Sequence, residues 1–510
     1  MPVQRLSMPG DRKKAPLTTV AARIDEALEK SGIDTTYPEA ALAEAESAAR
    51  TWREHAAQHE DLTAIEFVTL DPESSTDLDQ ALHIERDGTG YRVRYAIADL
   101  PLFVEPHGPL DAETRERGLT LYLPDRRIPL HPVVLCEDEA SLLPGKDTPA
   151  FVWDFSLDER ASVTHVNLTR AIVRNREKLA YTAVQRALER GEAGSVMQLL
   201  VEVGEKRAAL EIERGGASLN SPEQEVVTEA DSVHLQWRLP EPIEEHNAQI
   251  SLMTGMAAAQ IMIEGKLGIL RTMPPAAPEA IERFRAQAAA LKEPWPQDLP
   301  YGEFLRTLDW RKGRHLALLD QATSLFRGAG YEAFDGTLPE VLEQSAIAAP
   351  YAHTTAPLRR LVDRFVLHVC HSLKTGAPLD DRVRAALPEL PSLMHSAQQR
   401  HSAVEKKARE IAEIGVLSTL VGSEFEGTVL DFRPATDGGS NPSNARPDRI
   451  EVQFSNPPVA RWIDGENLPI GTRVKARLER VEESRNWAEF SVVSAGRARG
   501  TDGSQDPTPA

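Results

Sequence analysis

The sequence predicts an α+β protein of several domains: a helical N-terminal domain over 1–58, a larger α/β domain over 59–420, and a small β domain over 421–495. Three observations predict this. The apolar period changes from helical to alternating near residue 62, returns to helical after about residue 173, and alternates again from residue 424. A chain of 510 residues holds two to four domains at ordinary domain size. With 41% apolar and 27% charged residues the composition is that of a globular protein, which excludes wholesale disorder.

The elements follow in order. Residues 1–16 read as a loose arm. Val20, Ile24, Ala27 and Leu28 recur at helical spacing behind Thr18 or Thr19 as N-cap, and Gly32 ends that helix. Pro38 starts a second, Ala- and Glu-rich helix that runs to about residue 57. The pair permits a helix-turn-helix reading, but two packed helices with no DNA role are commoner. Residues 62–70 read as a strand, and Tyr91, Val93, Tyr95 and Ile97 alternate as another after the Asp87-Gly88 turn. Helices are expected over 177–190, 196–214, 243–267, 302–328, 357–374 and 393–421. Short strands at 425–432, 450–454, 474–478 and 488–493 have the spacing of an OB-type β-barrel, with a polar loop at 433–448. Residues 496–510, rich in Gly, Asp and Pro, read as a disordered tail.

The formal charge of −20 argues against a protein coated in positive charge, but a basic channel inside an acidic shell stays compatible with it. Cys136 and Cys370 cannot make a disulfide framework or a Cys-rich zinc site and fit a reducing compartment. The N-terminus carries basic residues with no apolar stretch behind them, and no run approaches about 18 apolar residues. The expectation is a cytoplasmic protein that does not enter membranes.

The most informative stretch is Asp71-Pro-Glu-Ser-Ser-Thr-Asp77-Leu-Asp79-Gln80-Ala81, directly after an apolar strand. Carboxylates on such a loop can converge, and their hard oxygens suit Mg²⁺, which binds few protein ligands plus waters and phosphate. An arbitrary Asp-rich loop is more often a polar surface turn, so the spacing alone is a weak signal. Three further segments change that weight: Ile97-Ala98-Asp99; 118–129, which contains Tyr122-Leu-Pro124 and Ile128-Pro129; and 351–360, which contains Pro357-Leu-Arg359-Arg360, followed by Asp363 and His368.

In this order the four segments resemble the RNase II family, whose catalytic RNB domain has an Asp-x5-Asp-x-Asp-Asp-Ala pattern after a strand. The resemblance covers roughly 62–374, and the β module after it resembles an S1-type OB domain. The resemblance implies an RNB-type α/β catalytic domain and a processive, hydrolytic 3′→5′ exoribonuclease that releases nucleoside 5′-monophosphates from single-stranded RNA. It implies Asp71 and Asp77 as metal-liganding carboxylates, Asp79 as the critical catalytic aspartate, and Arg359 as the arginine beside the scissile phosphate. Tyr122 matches a tyrosine that stacks on the 3′-terminal nucleotide, and Tyr181 a second tyrosine near that end. Arg360 follows Arg359 as an RNA-binding candidate. The clusters Arg115, Arg117, Arg126, Arg127 and Arg170, Arg174, Arg176, Lys178 are candidates for an RNA channel. His353 and His368 are expected to be structural. Mg²⁺ is the expected cofactor, with Mn²⁺ as the alternative and no small-molecule cofactor. Single-stranded RNA is the expected partner of a monomer.

The sequence departs from the family pattern. Gln80 stands where a fourth metal-contacting aspartate is usual, which predicts weaker or shifted metal binding. Asn247 falls where an acidic residue often contacts the terminal ribose. Ala356 replaces a usual Ser and Leu361 a usual Tyr. Helices replace the paired N-terminal cold-shock barrels, as in a shorter bacterial branch. The rival reading is a non-catalytic RNA-binding or regulatory protein that keeps the fold.

Overall fold

The computed structural model describes residues 14–219, 221–435 and 447–496. Most of the expected N-terminal arm, the polar loop at 433–448 and the tail lie outside the described residues.

A central sheet organises the chain. Its main strands are β1 (Phe67–Asp71), β2 (Gln80–Asp87), β3 (Gly90–Ala98), β4 (Asp147–Leu157) and β5 (Val163–Ala180). Consecutive strands pair antiparallel, and β5 also pairs parallel with β1, so the order returns on itself. The alternation read in β3 is real: Tyr91, Val93, Tyr95 and Ile97 are buried. They share a core with Trp153 and Phe155 of β4.

Two segments differ from the sequence expectation here. Residues 177–180 continue β5 rather than open a helix, because Val68 to Asp71 of β1 pair with Glu177 to Ala180. The helix α4 (Tyr181–Arg190) starts only where that partner ends. The chain also forms an antiparallel hairpin of Glu223–Glu229 and Ser232–Arg238, which strand Ala15–Pro16 extends.

Helices cover the sheet. After α5 (Ser195–Arg214), α6 (Pro242–Gly265) begins at an early proline with a capping box between Glu241 and Glu244. It buries Ile250, Met253 and Met262 in the same core as α10 (Leu361–Thr375), which contributes Phe365 and Val366. The expected 302–328 helix is two short ones, Tyr301–Arg306 and Gly313–Ala322.

The N-terminal helices α1 (Leu17–Lys30) and α2 (Glu39–His55) bury their faces in different cores. Val20, Ile24 and Leu28 of α1 join Val404 and Ile411 of α12 (Leu390–Ser418). Ala41, Ala45 and Trp52 of α2 join Leu100, Phe103 and Leu110. From residue 424 five strands form one antiparallel sheet, including Ala460–Asp464, which the sequence reading missed. Phe425, Phe454 and Phe490 pack against one another there.

Candidate active site

The acidic loop leaves β1 at Asp71 and re-enters the sheet at Gln80. It is held from both sides. Lys178 Nζ donates to the carbonyls of Glu73 and Ser75, both at 2.6 Å. Ser141 Oγ accepts from the Leu78 N–H at 2.9 Å and donates to the Thr76 carbonyl at 2.8 Å. Leu78 is fully buried. Anchoring this one apolar residue turns its neighbours Asp77 and Asp79 toward the same region.

Each acid has a different environment. Asp79 is buried; its Oδ1 accepts from the Leu358 N–H at 2.7 Å, and its Oδ2 lies 3.4 Å from Arg359 Nε. Burial pushes its pKa well above the usual carboxylate range, against the pull of Arg359 and the Leu358 N–H. Asp71 accepts no side-chain hydrogen bond among the described residues. Desolvation raises it to about 6, with Arg359 lowering and Asp77 raising it. Asp77 is paired with Arg127, which also meets Glu137 at 2.7 Å.

The aromatic and polar residues close on these acids through short links. Tyr122 pairs in register with Arg127, and the Thr120 N–H donates to the Arg359 carbonyl at 3.0 Å. Gly118, before this strand, lets the Leu390–Ser418 helix pack close: at φ +71° its missing Cβ would stand 2.4 Å from the Ala397 Cβ. Tyr122 is 46% exposed. Its hydroxyl is raised to about 12, by desolvation first and then by Asp77, with Arg359 opposing. Tyr181 follows Ala180, the register partner of Asp71. The Tyr181 hydroxyl accepts from Asn247 Nδ2 at 3.1 Å, while Asn247 Oδ1 is buried with no partner among the described residues. The structure therefore brings together Asp71, Asp77, Asp79, Arg359, Tyr122, Tyr181 and Asn247.

Two expected residues are engaged otherwise. Gln80 Oε1 accepts from the hydroxyls of Tyr95 and Ser251, the latter at 3.1 Å. Ser251 stands one helical turn after Asn247, so α6 reaches the acidic loop twice. Arg360, the RNA-binding candidate, is paired within the fold: its guanidinium binds both oxygens of buried Asp363, at 3.0 and 2.8 Å. Asp363 also accepts from the Ala356 N–H at 2.7 Å, which fixes the segment before Arg359.

The basic clusters are also largely spent on acids. Arg115 pairs with Asp111, Arg117 with Glu113, Arg126 with Asp125, Arg170 with Asp99 and Arg174 with Asp147. Although burial raises Asp99, Arg170 and His59 bring it down to about 2. His353 and His368 are enclosed, and burial lowers both, His368 to about 4. Both cysteines are free and buried.

Sequence reasoning missed Ser141, Tyr95, Ser251 and the Leu358 N–H. Their only sequence signal is position on the neighbouring strand, turn or helix.

Among the described residues no three carboxylate, imidazole or thiol groups are placed to hold a metal. The acids fit a different arrangement. Among the described residues Asp71 makes no ion pair, with Arg359 and Lys178 acting on it only from farther away, and Asp79 has only a long contact to Arg359, so both carry desolvation that a hard cation relieves. One or two carboxylates, completed by water and a phosphate, is the usual Mg²⁺ donor set. No helix among the described residues is long and apolar enough to cross a membrane.

The chain is similar to ribonuclease R of Escherichia coli, at 25% identity over 485 residues, covering 86% of this chain and 58% of that protein. It thus spans less than two thirds of that relative's length. Its fold is similar to that of Mycoplasma genitalium RNase R, solved in complex with ribose-methylated single-stranded RNA: TM-score 0.81, 18% identity, 93% of this chain and 78% of that one. It is also similar to yeast Ssd1, a pseudonuclease: TM-score 0.67, 14% identity, 91% of this chain and 57% of that one. The RNB domain model matches residues 59–376, which include the whole acidic loop, both tyrosines and Arg359. More than half of the sequence lies in that match, and the chain belongs to the RNB domain family.

Proposed function

We propose that the protein is a processive 3′→5′ exoribonuclease that hydrolyses single-stranded RNA to nucleoside 5′-monophosphates with Mg²⁺. The observation that carries this reading is the convergence of Asp71, Asp77 and Asp79 with Arg359 and two tyrosines. A bound divalent ion would supply charge for the attacking and leaving oxygens; Asp71 and Asp79 are the residues to hold it, with water and phosphate completing the shell and Asp77, paired with Arg127, beside them. Arg359, 44% exposed at its side chain and only loosely tied to Asp79, is free to donate two charge-assisted hydrogen bonds to the phosphate. Asp79 orients the attacking water. Tyr122 and Tyr181 grip base or ribose faces without reading sequence. The unpartnered Asn247 Oδ1 is an acceptor for a ribose hydroxyl, a contact that distinguishes RNA from DNA.

In this reading the C-terminal sheet is an S1-like OB module that feeds RNA to the site, α1 and α2 pack as separate N-terminal helices on different cores rather than as one helical domain, and the monomer works in the cytoplasm. Gln80 supports a second reading, an RNA-binding protein without chemistry, because its amide brings no charge and is bonded to Tyr95 and Ser251. A 5′-labelled single-stranded RNA with Mg²⁺ separates the two. A shortening ladder that Asp79→Asn abolishes, with RNA binding retained, supports the nuclease. A gel shift without cleavage by the wild type supports the binder. A blocked RNA 3′ end that leaves cleavage unchanged would exclude an exonuclease.

A further inference from the structure

A cavity of about 940 Å³ opens between α5, the C-terminal half of α6 and the end of α10. Its lining includes none of the residues of the acidic site. The size falls at the upper end of ordinary ligand pockets.

Two arginines of α5 give the cavity its character. Arg207 is 4% exposed, yet among the described residues no carboxylate forms an ion pair with it. Its Nη1 donates to the Ala161 carbonyl at 3.1 Å, and among the described residues its Nε is buried without a partner. Asp158, the acid that steadies it from farther away, is already occupied by the N–H groups of Arg160 and Ser162 at 2.9 and 2.8 Å. Arg214 makes no hydrogen bond or ion pair among the described residues, and its Nε is likewise buried and unpartnered. The guanidinium of Arg214 also repels that of Arg207, which desolvation and this repulsion lower to about 10.

In a chain with 78 acidic and 58 basic residues, two neighbouring guanidiniums with no carboxylate in contact among the described residues are out of pattern; Glu211, which acts on half-buried Arg214 from farther away, is itself engaged by Arg306 and by the Gln249 amide. Buried charges are ordinarily paired. The acids on the cavity wall do not fill the gap. Glu213 is bound by Arg160 at 2.7 Å and Glu264 by the Gln260 amide at 2.7 Å. Leu210, Met253, Met256 and Leu373 make the rest of the wall largely apolar.

We propose that this cavity is a second ligand site, for a small organic anion. Its carboxylate or phosphate head meets Arg207 and Arg214, and its apolar body lies on Leu210, Met253, Met256 and Leu373. The planar fork of arginine matches either head group, and methionine adapts to bodies of varied shape.

Calorimetric titration of the full chain, in EDTA and at constant ionic strength, tests this with three probes. Octanoate carries a carboxylate on an apolar body, AMP a phosphate on a planar one, and inorganic phosphate the head group alone. Octanoate or AMP is expected to saturate a single site that Arg214→Gln and Arg207→Met each weaken by about tenfold or more, the loss of one charge-assisted contact. Among the described residues Arg214 has no hydrogen bond or ion pair to lose and feels Glu211 only from farther away, so its substitution is expected to leave the fold intact and guards against misfolding of the Arg207 variant. Saturation by octanoate alone assigns a carboxylate ligand, and arginine-dependent saturation by AMP alone assigns a phosphate ligand. The proposal is overturned if neither probe saturates up to roughly 10 mM, if both variants bind as wild type does, or if inorganic phosphate binds as tightly as either probe.

Discussion

Asp71→Asn should stabilise the metal-free protein while removing its activity. Asp71 is held at about 6 in the fold against an ordinary value of 3.8. Below 3.8 the carboxyl is protonated whether the chain is folded or not, and it contributes nothing to the pH dependence. Between 3.8 and 6 the unfolded chain loses the proton and the fold keeps it, so stability falls as pH rises. Above 6 the full cost stands, roughly 3 kcal/mol at about 1.4 kcal/mol per pH unit. Asparagine has the same shape without the charge, and the side chain has no hydrogen bond to lose among the described residues. Urea unfolding in EDTA at pH 4 and pH 8 measures the effect. The variant should match wild type at pH 4 and exceed it by about 1–3 kcal/mol at pH 8, the lower figure allowing for solvent relaxation. Added Mg²⁺ should close that gap by stabilising only the wild type. A variant that is equally destabilised at both pH values would refute the argument that this acid is desolvated and uncompensated.

Tyr122→Ala should weaken binding of single-stranded RNA roughly 5- to 150-fold, the loss of about 1–3 kcal/mol of stacking, with the fold unchanged because the ring is half-exposed; fluorescence anisotropy and a melting curve read the two effects. Gln80→Asp should lower the Mg²⁺ concentration for half-maximal cleavage roughly fivefold or more, since an added charge near the ion gains about 1 kcal/mol or better. Unchanged affinity and rate would show that Gln80 stands outside the metal's reach. Arg360→Met should cost about 3–5 kcal/mol of stability by leaving Asp363 buried and unpaired, whereas Arg359→Met should spare the urea midpoint and abolish cleavage.

The acidic loop was legible because strand, carboxylates and their spacing are local. Leu78 is the residue that makes the spacing work, since a buried anchor between two aspartates directs both. The place of Gln80 was not legible: its partners Tyr95 and Ser251 come from a neighbouring strand and a helix 171 residues on. Two adjacent arginines look alike in sequence, and only the fold separates them: Arg360 pairs with Asp363, three residues later, whereas Arg359 keeps a longer contact to Asp79. Residues 177–180 have helical composition, yet tertiary pairing with β1 overrides it. The 223–238 hairpin escaped notice because three glutamates and two glutamines mask its period. For the second half of the central domain, helix positions were easier to read than their ends.

The bond from the Leu358 N–H to Asp79 joins groups 279 residues apart. During synthesis the aspartates leave the ribosome long before the arginine they work beside. At about 5–20 residues per second that interval is roughly 15–55 seconds. Over that time a half-made chain carries its acids but not the guanidinium that would grip a phosphate. In the proposed reading, the order of the sequence thus leaves the nascent chain without its phosphate-gripping arginine beside the very messenger that is being read to make it.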